Sequence, residues 1–339
     1  MNAIQIQRFG GPEVLELVDI PVPEPGPGEV LVEITYAGVN FTDIYRRSGV
    51  YANSPTYRTP LPYGLGIEGS GTVKKLGTGV DEYSIGERVV FTRSQATYAE
   101  YAVTPAHRLV RVPDLLGLDV AAAVISQGMA AHYLTHEYGL KAGDVCLVHA
   151  GAGGVGQLLI QLAKMRGARV IATVGTKDKE RIARACGADE VILYREVNFR
   201  EAARALTHDR GVDIVFDSVG KDTLHDSLYS LRRHGLCVLF GQSSGEVAGF
   251  NTLDLAEAGS VFLTRPHAQH YVATPEVYAR RANDILRWIG EGRLKVAIHH
   301  VYPLADAAAA HRALAGRSTH GKLLIGLQPE THASLRSGN

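Results

Sequence analysis

The residues of this sequence whose spacing points most specifically to chemistry are three glycines at the end of an apolar run. Gly151, Gly153 and Gly156 fit G-x-G-x-x-G within Val145-Cys146-Leu147-Val148-His149-Ala150-Gly151-Ala152-Gly153-Gly154-Val155-Gly156. The run before them has strand character, and Gln157-Leu158-Leu159-Ile160-Gln161-Leu162-Ala163-Lys164 after them reads as a helix. A second strand follows over 169–174. In that setting small residues let the backbone turn tightly and approach a pyrophosphate, which rests on the N–H groups of the helix start. Gly151, Ala152, Gly153, Gly154, Val155 and Gly156 are the expected phosphate loop of a dinucleotide. The alternative is a tight strand-to-helix turn without a ligand.

The next strand end bears on which dinucleotide. A site for NAD presents an acid there to hold the ribose 2′-hydroxyl. Here the strand ends in Gly175-Thr176 and runs into Lys177-Asp178-Lys179-Glu180-Arg181. Small neutral residues followed by cations give a 2′-phosphate room and charge, so NADPH (NADP+) is the expected cofactor. Asp178 is the competing reading, either as a displaced NAD acid or as an acid favoured in a first helical turn. Phe240, Gly241, Gln242 and Ser243 follow a later strand at its C-terminal end, the ligand side of a parallel sheet.

Metal and thiol chemistry find little support. Cys146, Cys186 and Cys237 lie far apart, each in or beside an apolar run, and are expected as buried small hydrophobes. The absence of a C-x-x-C pair argues against a cysteine-held zinc and a disulfide framework. The 14 histidines are scattered. If His299 and His300 lie in a strand, they point to opposite faces.

The elements that must position these residues form two textures. A chain of 339 residues has room for two domains, and 45% hydrophobic with 21% charged content suits a globular enzyme with a sizeable core. Lys+Arg and Asp+Glu are both 35, so charge gives no argument for a nucleic-acid partner. The N-terminus does not read as a signal peptide, and no apolar run is long enough for a membrane span, so a cytoplasmic protein is expected. Residues 1 to about 120 read as short strands, at 14–18, 29–34, 71–76, 88–91 and 98–103, with a stiff Pro21-Val22-Pro23-Glu24-Pro25-Gly26-Pro27-Gly28 connection. That suggests a compact β-barrel-like domain. A helix begins near 119, and from 145 strands and helices alternate. Strands are expected at 191–194, 212–217 and 236–240, and helices at 199–207 and 223–232. The alternation predicts βαβ units and a doubly wound parallel sheet. A helix over 276–291, a strand at 299–302, an Ala-rich helix at 304–314 and a strand at 322–327 follow, then a polar, flexible tail.

Several stretches together carry a resemblance. Phe9-Gly10-Gly11-Pro12-Glu13-Val14-Leu15, Gly38-Val39-Asn40-Phe41-Thr42-Asp43, Gly64-Leu65-Gly66-Ile67-Glu68-Gly69 and the glycine loop are the first of these. Asp217-Ser218-Val219-Gly220, Phe240-Gly241-Gln242-Ser243-Ser244-Gly245 and Leu263-Thr264-Arg265-Pro266 continue it. Over residues 3–327 the chain resembles the zinc-independent quinone oxidoreductases of the medium-chain dehydrogenase/reductase superfamily, the group that includes zeta-crystallin. The resemblance implies an α/β fold in which a Rossmann domain is inserted in a GroES-like β-barrel catalytic domain, and a homodimer. It sets the parts at 1–123, 124–264 and 265–328, with 329–339 as tail.

The resemblance also implies site residues. Asn40, Asp43, Tyr45 and Tyr51 match the loop of the family's substrate cleft. Asn40 would hydrogen-bond an acceptor carbonyl or the cofactor, and Tyr51 would donate to a developing oxyanion. Tyr45 and Tyr51 as packing aromatics, and Asp43 as a loop-ordering group, are the alternatives. Lys179, Tyr194 and Arg317 match residues around the adenosine phosphate, with Gly175, Thr176 and Ser218 beside the cofactor. Leu263 and Arg265 match positions contacting the carboxamide, and Arg265 in a surface or domain-linking ion pair is the other reading. Family members often carry Asn at the Gln242 position and Thr at Ala130, so this chain departs from the pattern there. The alcohol dehydrogenases of the superfamily hold zinc with a cysteine and a histidine where this chain has Asn40 and Ile67, which cannot replace them.

The implied activity is NADPH-dependent reduction of quinones without a metal. The alternatives are reduction of activated C=C bonds in enals, enones or enoyl thioesters, and a non-enzymatic RNA-binding or crystallin-like role. The expected partner is a small-molecule quinone or enone, with no nucleic acid.

Overall fold

The computed structural model describes residues 1–328, and the tail expected over 329–339 lies outside them. The chain divides into two units, one of residues 1–126 with the chain from Thr274 on, the other of residues 127–273. The sequence-based boundaries fell after 123 and 264.

The first unit opens with β1 (Asn2–Ile6), β2 (Glu16–Asp19), β3 (Glu29–Val39), α1 (Phe41–Ser48), β4 (Tyr63–Gly64), β5 (Glu68–Leu76), β6 (Arg88–Thr92), β7 (Tyr101–Pro105) and β8 (Val110–Arg111), and the chain passes to the second unit within α2 (Leu118–His136). The strand expected at 14–18 starts only at Glu16, because Pro12 opens a short 3-10 turn that takes in Val14. The strand expected at 98–103 is displaced in the same way to β7, leaving Tyr98 before it, fully buried.

The second unit contains β9 (Val145–Val148), α3 (Gly154–Met165), β10 (Arg169–Val174), α4 (Lys177–Ala185), β11 (Glu190–Leu193), α5 (Phe199–Leu206) and β12 (Val212–Asp217). It continues with α6 (Leu224–Tyr229), β13 (Leu231–Leu239), α7 (Leu253–Glu257) and β14 (Phe262–Thr264). Its six strands are all parallel and run in the order β11-β10-β9-β12-β13-β14. Counted from β9 that is 3-2-1-4-5-6, the doubly wound order of dinucleotide-binding sheets, and it reverses direction between β9 and β12. The central strands β9 and β12 are buried at every residue, as expected where helices cover both faces. The helix expected over 223–232 ends at Tyr229. Leu231 pairs instead with Val212, which draws the chain into β13.

The chain then returns to the first unit with α8 (Pro275–Gly290), β15 (Ile298–Pro303), α9 (Ala307–Ala315) and β16 (Lys322–Gly326). β16 is inserted between β15 and β3, in a sheet that runs β15-β16-β3-β5-β6-β8 with β7 also on β3. A three-stranded sheet β2-β1-β4 shares its core, in which Ile4 and Ile6 pack with Val30, Val32, Ile34 and Ile325. Regular alternation at His299 and His300 is broken because the pairing with β16 slips between Ile298 and His300, and both histidines are exposed.

Candidate active site

In the second unit, β9 lifts into a turn that only small residues allow. Ala150 has φ +53°, and the Gly151 and Gly153 N–H groups donate to Thr173 and Ala150 carbonyls at 3.0 and 2.8 Å. A Cβ on Gly156 would stand 2.2 Å from the Ala150 carbonyl oxygen, so the helix can start against the turn only with glycine there. α3 begins at Gly154, earlier than the helix read from Gln157, and its first turn leaves N–H groups pointing out of the helix end. Gln157 locks the turn from behind through Nε2 to the Ala152 carbonyl, 2.8 Å. Gly151, Ala152, Gly153, Gly154, Val155 and Gly156 all lie in this turn, whose helix-start N–H groups have the geometry that suits an anion.

His149, at the start of the turn, was not expected to matter. It is buried between Thr173 (Nδ1 to Oγ1, 2.9 Å) and Ser227 (Nε2 to Oγ, 3.0 Å). Ser227 donates on to Asp217 Oδ2 at 2.8 Å, so Nε2 carries the proton and Nδ1 accepts from Thr173. Burial lowers the pKa of His149 and keeps the ring neutral. Asp217 also accepts from the Val219 and Gly220 N–H groups and the Thr223 hydroxyl. This polar chain ties β9, β10 and β12 to the loop carrying Ser218.

The end of β10 carries four expected residues in its neighbourhood, Gly175, Thr176, Lys179 and Tyr194. A Cβ on Gly175 would stand 2.8 Å from Tyr194 Oη, and Thr176 caps α4 by accepting from the Lys179 N–H at 3.3 Å. Burial first, and then Arg195, lower the pKa of the half-buried Lys179. Asp178, the competing NAD acid, is ion-paired to Arg181 at 2.5 Å on its own exposed helix. Arg195 is a residue that sequence reasoning missed, since its signal is one positive charge following β11.

The loops after β12 and β13 are joined. A Cβ on Gly241 would lie 2.4 Å from the Ser218 carbonyl oxygen, and the Ser243 N–H donates to that oxygen at 3.2 Å. Arg265, just past β14, donates to the carbonyls of Leu239 (3.2 Å) and Gly241 (2.6 Å) and to Gln242 Oε1 (2.8 Å). Arg265 thus braces the loop of Phe240, Gly241 and Gln242, and the ion-pair reading is corrected: its partners are carbonyls. Leu263, in β14, is half-buried.

In the first unit, the structure corrects two assignments. Asn40 Nδ2 donates to Glu68 Oε1 (2.7 Å) and the Gly38 carbonyl (3.3 Å), while its Oδ1 accepts from Lys322 Nζ at 2.9 Å. Both amide hydrogens are used, so Asn40 has none left for an acceptor carbonyl. Asp43 is fully buried and cannot touch a substrate. Its Oδ2 accepts from the Asn40 N–H (2.9 Å) and Tyr98 hydroxyl (3.1 Å), which orders the start of α1. Tyr45 and Tyr51 are half-buried and meet edge-on at 5.5 Å, and Tyr51 stacks on Tyr57 at 4.4 Å. Arg317 belongs to this unit, in the turn after α9 at φ +55°.

Glu68 and Lys322, both fully buried, are a further feature the sequence concealed. Lys322 Nζ lies 2.6 Å from Glu68 Oε1 and 3.2 Å from the Val39 carbonyl, and Glu68 Oε2 accepts from the Ser126 N–H at 2.9 Å. A zinc ion does not fit these residues. Asn40 and Ile67 supply neither thiolate nor imidazole, and an ammonium already holds the carboxylate. Among the described residues no group of three or more His, Cys, Asp or Glu could hold a metal ion.

Known proteins share this architecture. The family "Alcohol dehydrogenase GroES-like domain" matches residues 26–114 and "Zinc-binding dehydrogenase" matches residues 154–270. The chain is 40% identical to a quinone oxidoreductase of Pseudomonas aeruginosa over 95% of its length and 98% of the relative's. It is 36% identical to a 2-haloacrylate reductase of a Burkholderia species over 95% and 98% of the two chains. The crystal structure of Escherichia coli quinone oxidoreductase complexed with NADPH superposes with a TM-score of 0.93 at 39% identity, covering 96% of this chain and 100% of that one. A GroES-like unit interrupted by a 3-2-1-4-5-6 sheet is the architecture of the medium-chain dehydrogenases/reductases. Within that superfamily, the chain belongs to the quinone oxidoreductase family.

Proposed function

We propose that this protein is an NADPH:quinone oxidoreductase that works without a metal. The single observation that carries the reading is the end of β10, where Gly175 is bare beside Tyr194 Oη and Arg195 Nε, Lys179 feels the charge of Arg195, and Asp178 is turned to Arg181. That is a place for a 2′-phosphate next to a glycine turn built for a pyrophosphate. The quinone oxidoreductases among the relatives, one of them complexed with NADPH, support the same cofactor and acceptor.

Bound NADPH supplies the hydride, which leaves binding, orientation and electrostatics to the protein. Gly151 to Gly156 take the pyrophosphate, with Gly175, Thr176, Lys179 and Tyr194 at the adenosine end. Ser218, Phe240, Gly241, Gln242, Ser243, Leu263 and Arg265 serve the nicotinamide half, with Arg265 fixing the loop. Tyr45 and Tyr51 offer aromatic faces and hydroxyls to a planar acceptor. A hydroquinone anion takes its proton from water, so no strong protein acid is required.

The reading extends to a cytoplasmic homodimer. Three free cysteines suit a reducing compartment, and β14 ends the sheet with an exposed Phe262 suited to a partner copy. Among the described residues no helix is long and apolar enough to cross a membrane.

The test is NADPH oxidation with 1,4-benzoquinone, 9,10-phenanthrenequinone and 2-alkenals side by side. Turnover with the quinones is expected. Turnover with an alkenal and none with either quinone would favour the second reading, reduction of activated C=C bonds, for which the 36% identical 2-haloacrylate reductase speaks.

A further inference from the structure

The segment that carries Tyr45 and Tyr51 has charge of one sign. Residues 44–67 contain Arg46, Arg47 and Arg58, four tyrosines and no Asp or Glu, in a chain whose cations and acids number 35 each. Arg46, on α1, is only 9% exposed. Its Nη1 donates to the carbonyls of Tyr57 (3.3 Å) and Arg58 (3.0 Å) and to Thr59 Oγ1 (3.3 Å), and its guanidinium lies 5.2 Å from the centre of the Tyr63 ring. These partners fix the group without neutralising it. Among the described residues its buried Nε has no hydrogen-bond partner, and neither Arg46 nor the exposed Arg58 is ion-paired to a carboxylate. The acids of neighbouring elements are committed or neutralised. Asp43, one turn before Arg46, is fully buried, and burial raises its carboxyl to about 7. Glu13 holds the Gly11 N–H at 2.9 Å and lends its charge to Arg47, which is itself bound to the Gly10 carbonyl and His311. Glu68 is closed on Lys322.

We propose that this segment selects acceptors bearing an anionic substituent, a carboxylate or a sulfonate, with Arg46 as the specificity-determining residue. This rests on the reading that a planar acceptor meets Tyr45 and Tyr51. Arg46 is built into that aromatic face. It holds the Tyr57 backbone, the Tyr57 ring stacks on Tyr51 at 4.4 Å, and Tyr51 meets Tyr45 edge-on at 5.5 Å. An acceptor ring laid against these tyrosines has the guanidinium beside the stack and Arg58 at the exposed rim. Arg46 spends only Nη1 on the loop, so the edge formed by Nε and Nη2, which takes a carboxylate or sulfonate in two parallel bonds, is unused. Solvent screens a buried charge less than an exposed one, so Arg46 contributes more to the preference than Arg58. A neutral quinone leaves that charge and that buried donor unrelieved, which is where the discrimination arises.

The experiment compares full-length wild type with Arg46→Gln, Arg46→Lys and Arg58→Gln. It reads kcat and KM for 9,10-phenanthrenequinone and its 2-sulfonate, and calorimetric Kd for naphthalene-2-sulfonate and naphthalene-2-sulfonamide with NADP+ saturating. Wild type should favour the charged member of each pair by about 10-fold, in KM rather than kcat. Arg46→Gln loses the loop's brace and should weaken both members, but the sulfonates more, so that most of the ratio disappears. Arg46→Lys should restore part of it, because the charge remains without the fork. Arg58→Gln should lower the ratio by about 2- to 5-fold, and about 1 M salt should shrink it in wild type. Where Arg46→Gln does not fold, Arg58→Gln and the salt series decide. Equal losses for charged and neutral members would overturn the inference and leave Arg46 as a brace alone. A wild type that turns over both quinones with equal kcat/KM would keep the activity reading and remove the selection. A wild type that reduces neither quinone, yet binds the sulfonate over the sulfonamide until Arg46 is replaced, would remove the activity reading and keep the selection.

Discussion

Lys322 Nζ and Glu68 Oε1 meet at 2.6 Å across 254 residues of sequence, with both side chains fully buried. The ammonium also has the Val39 carbonyl and Asn40 Oδ1, and the other carboxylate oxygen has the Ser126 N–H. Such a pair is satisfied as a unit, and removing one member strands the other charge in a low-dielectric interior. Lys322→Met or Glu68→Gln alone should therefore lower unfolding free energy by about 3–5 kcal/mol. The double variant should cost clearly less than the sum, which a double-mutant cycle by urea unfolding would read. Additive losses would refute the coupling.

Asp43, Tyr98 and His311 form a buried chain, with Tyr98 Oη 3.3 Å from His311 Nε2 and Arg47 Nη1 3.2 Å from His311 Nδ1. Burial raises the carboxyl of Asp43 to about 7, while burial, with Arg47 beside it, pushes His311 down to about 3. An acid held neutral stabilises fully below its unfolded value and loses that contribution as pH rises from about 4 to 7. An imidazole held neutral loses its contribution as pH falls from about 6.5 to 3. The two slopes oppose between roughly pH 4 and 6.5. Asp43→Asn should expose the histidine slope, up to about 1.4 kcal/mol per pH unit lost on acidification. Parallel stability–pH curves for wild type and variant would contradict this.

Lys179→Glu places an acid where the 2′-phosphate would sit, as NAD sites do. KM for NADPH should rise by about 100-fold or more, and KM for NADH should stay within a few-fold. Steady-state kinetics with both nucleotides decide it, and equal effects would remove Lys179 from the phosphate.

Tyr51 stacks on Tyr57 with ring planes 15° apart. Tyr51→Ala removes an aromatic surface worth about 0.5–1.5 kcal/mol, so KM for 9,10-phenanthrenequinone should rise by about 2- to 10-fold. Tyr51→Phe keeps the ring and loses only the hydroxyl, and kcat should hold within about twofold if water protonates the product. A large fall in kcat for the Phe variant would instead make the hydroxyl a proton donor.

Gly156→Ala forces a Cβ within 2.2 Å of a backbone oxygen that has no flexible end to yield. Stability should drop by about 2 kcal/mol or more, with nucleotide binding lost first. A variant with wild-type melting temperature and nucleotide affinity would mean that the turn relaxes freely.

The second unit is legible from local pattern, since glycine spacing and strand–helix alternation act over short distances. What escaped there is local competition: Leu231 joins Val212 in the sheet and so ends α6 at Tyr229. Cys146 and Cys237 are buried as expected, whereas Cys186 at the end of α4 is only half-buried. The first unit hides more because its chemistry is assembled across the chain. Nothing near Asn40 announces that Lys322 will use its amide oxygen, or that Gly38 is bare because the Glu68 carboxylate would meet a Cβ at 2.1 Å. Asp43 reads as a site acid until its complete burial is seen.

The place of β16 has a consequence for synthesis. Residues 36–39 of β3 pair with residues 323–326 of β16, which lie far downstream in the chain. The second unit has every strand once Ala273 is made, so it closes first although it is encoded after the opening strands. At about 5–20 residues per second, residues 36–39 wait on the order of tens of seconds for their partner. For that interval an incomplete sheet edge is exposed, and the newborn chain is a natural client for a chaperone.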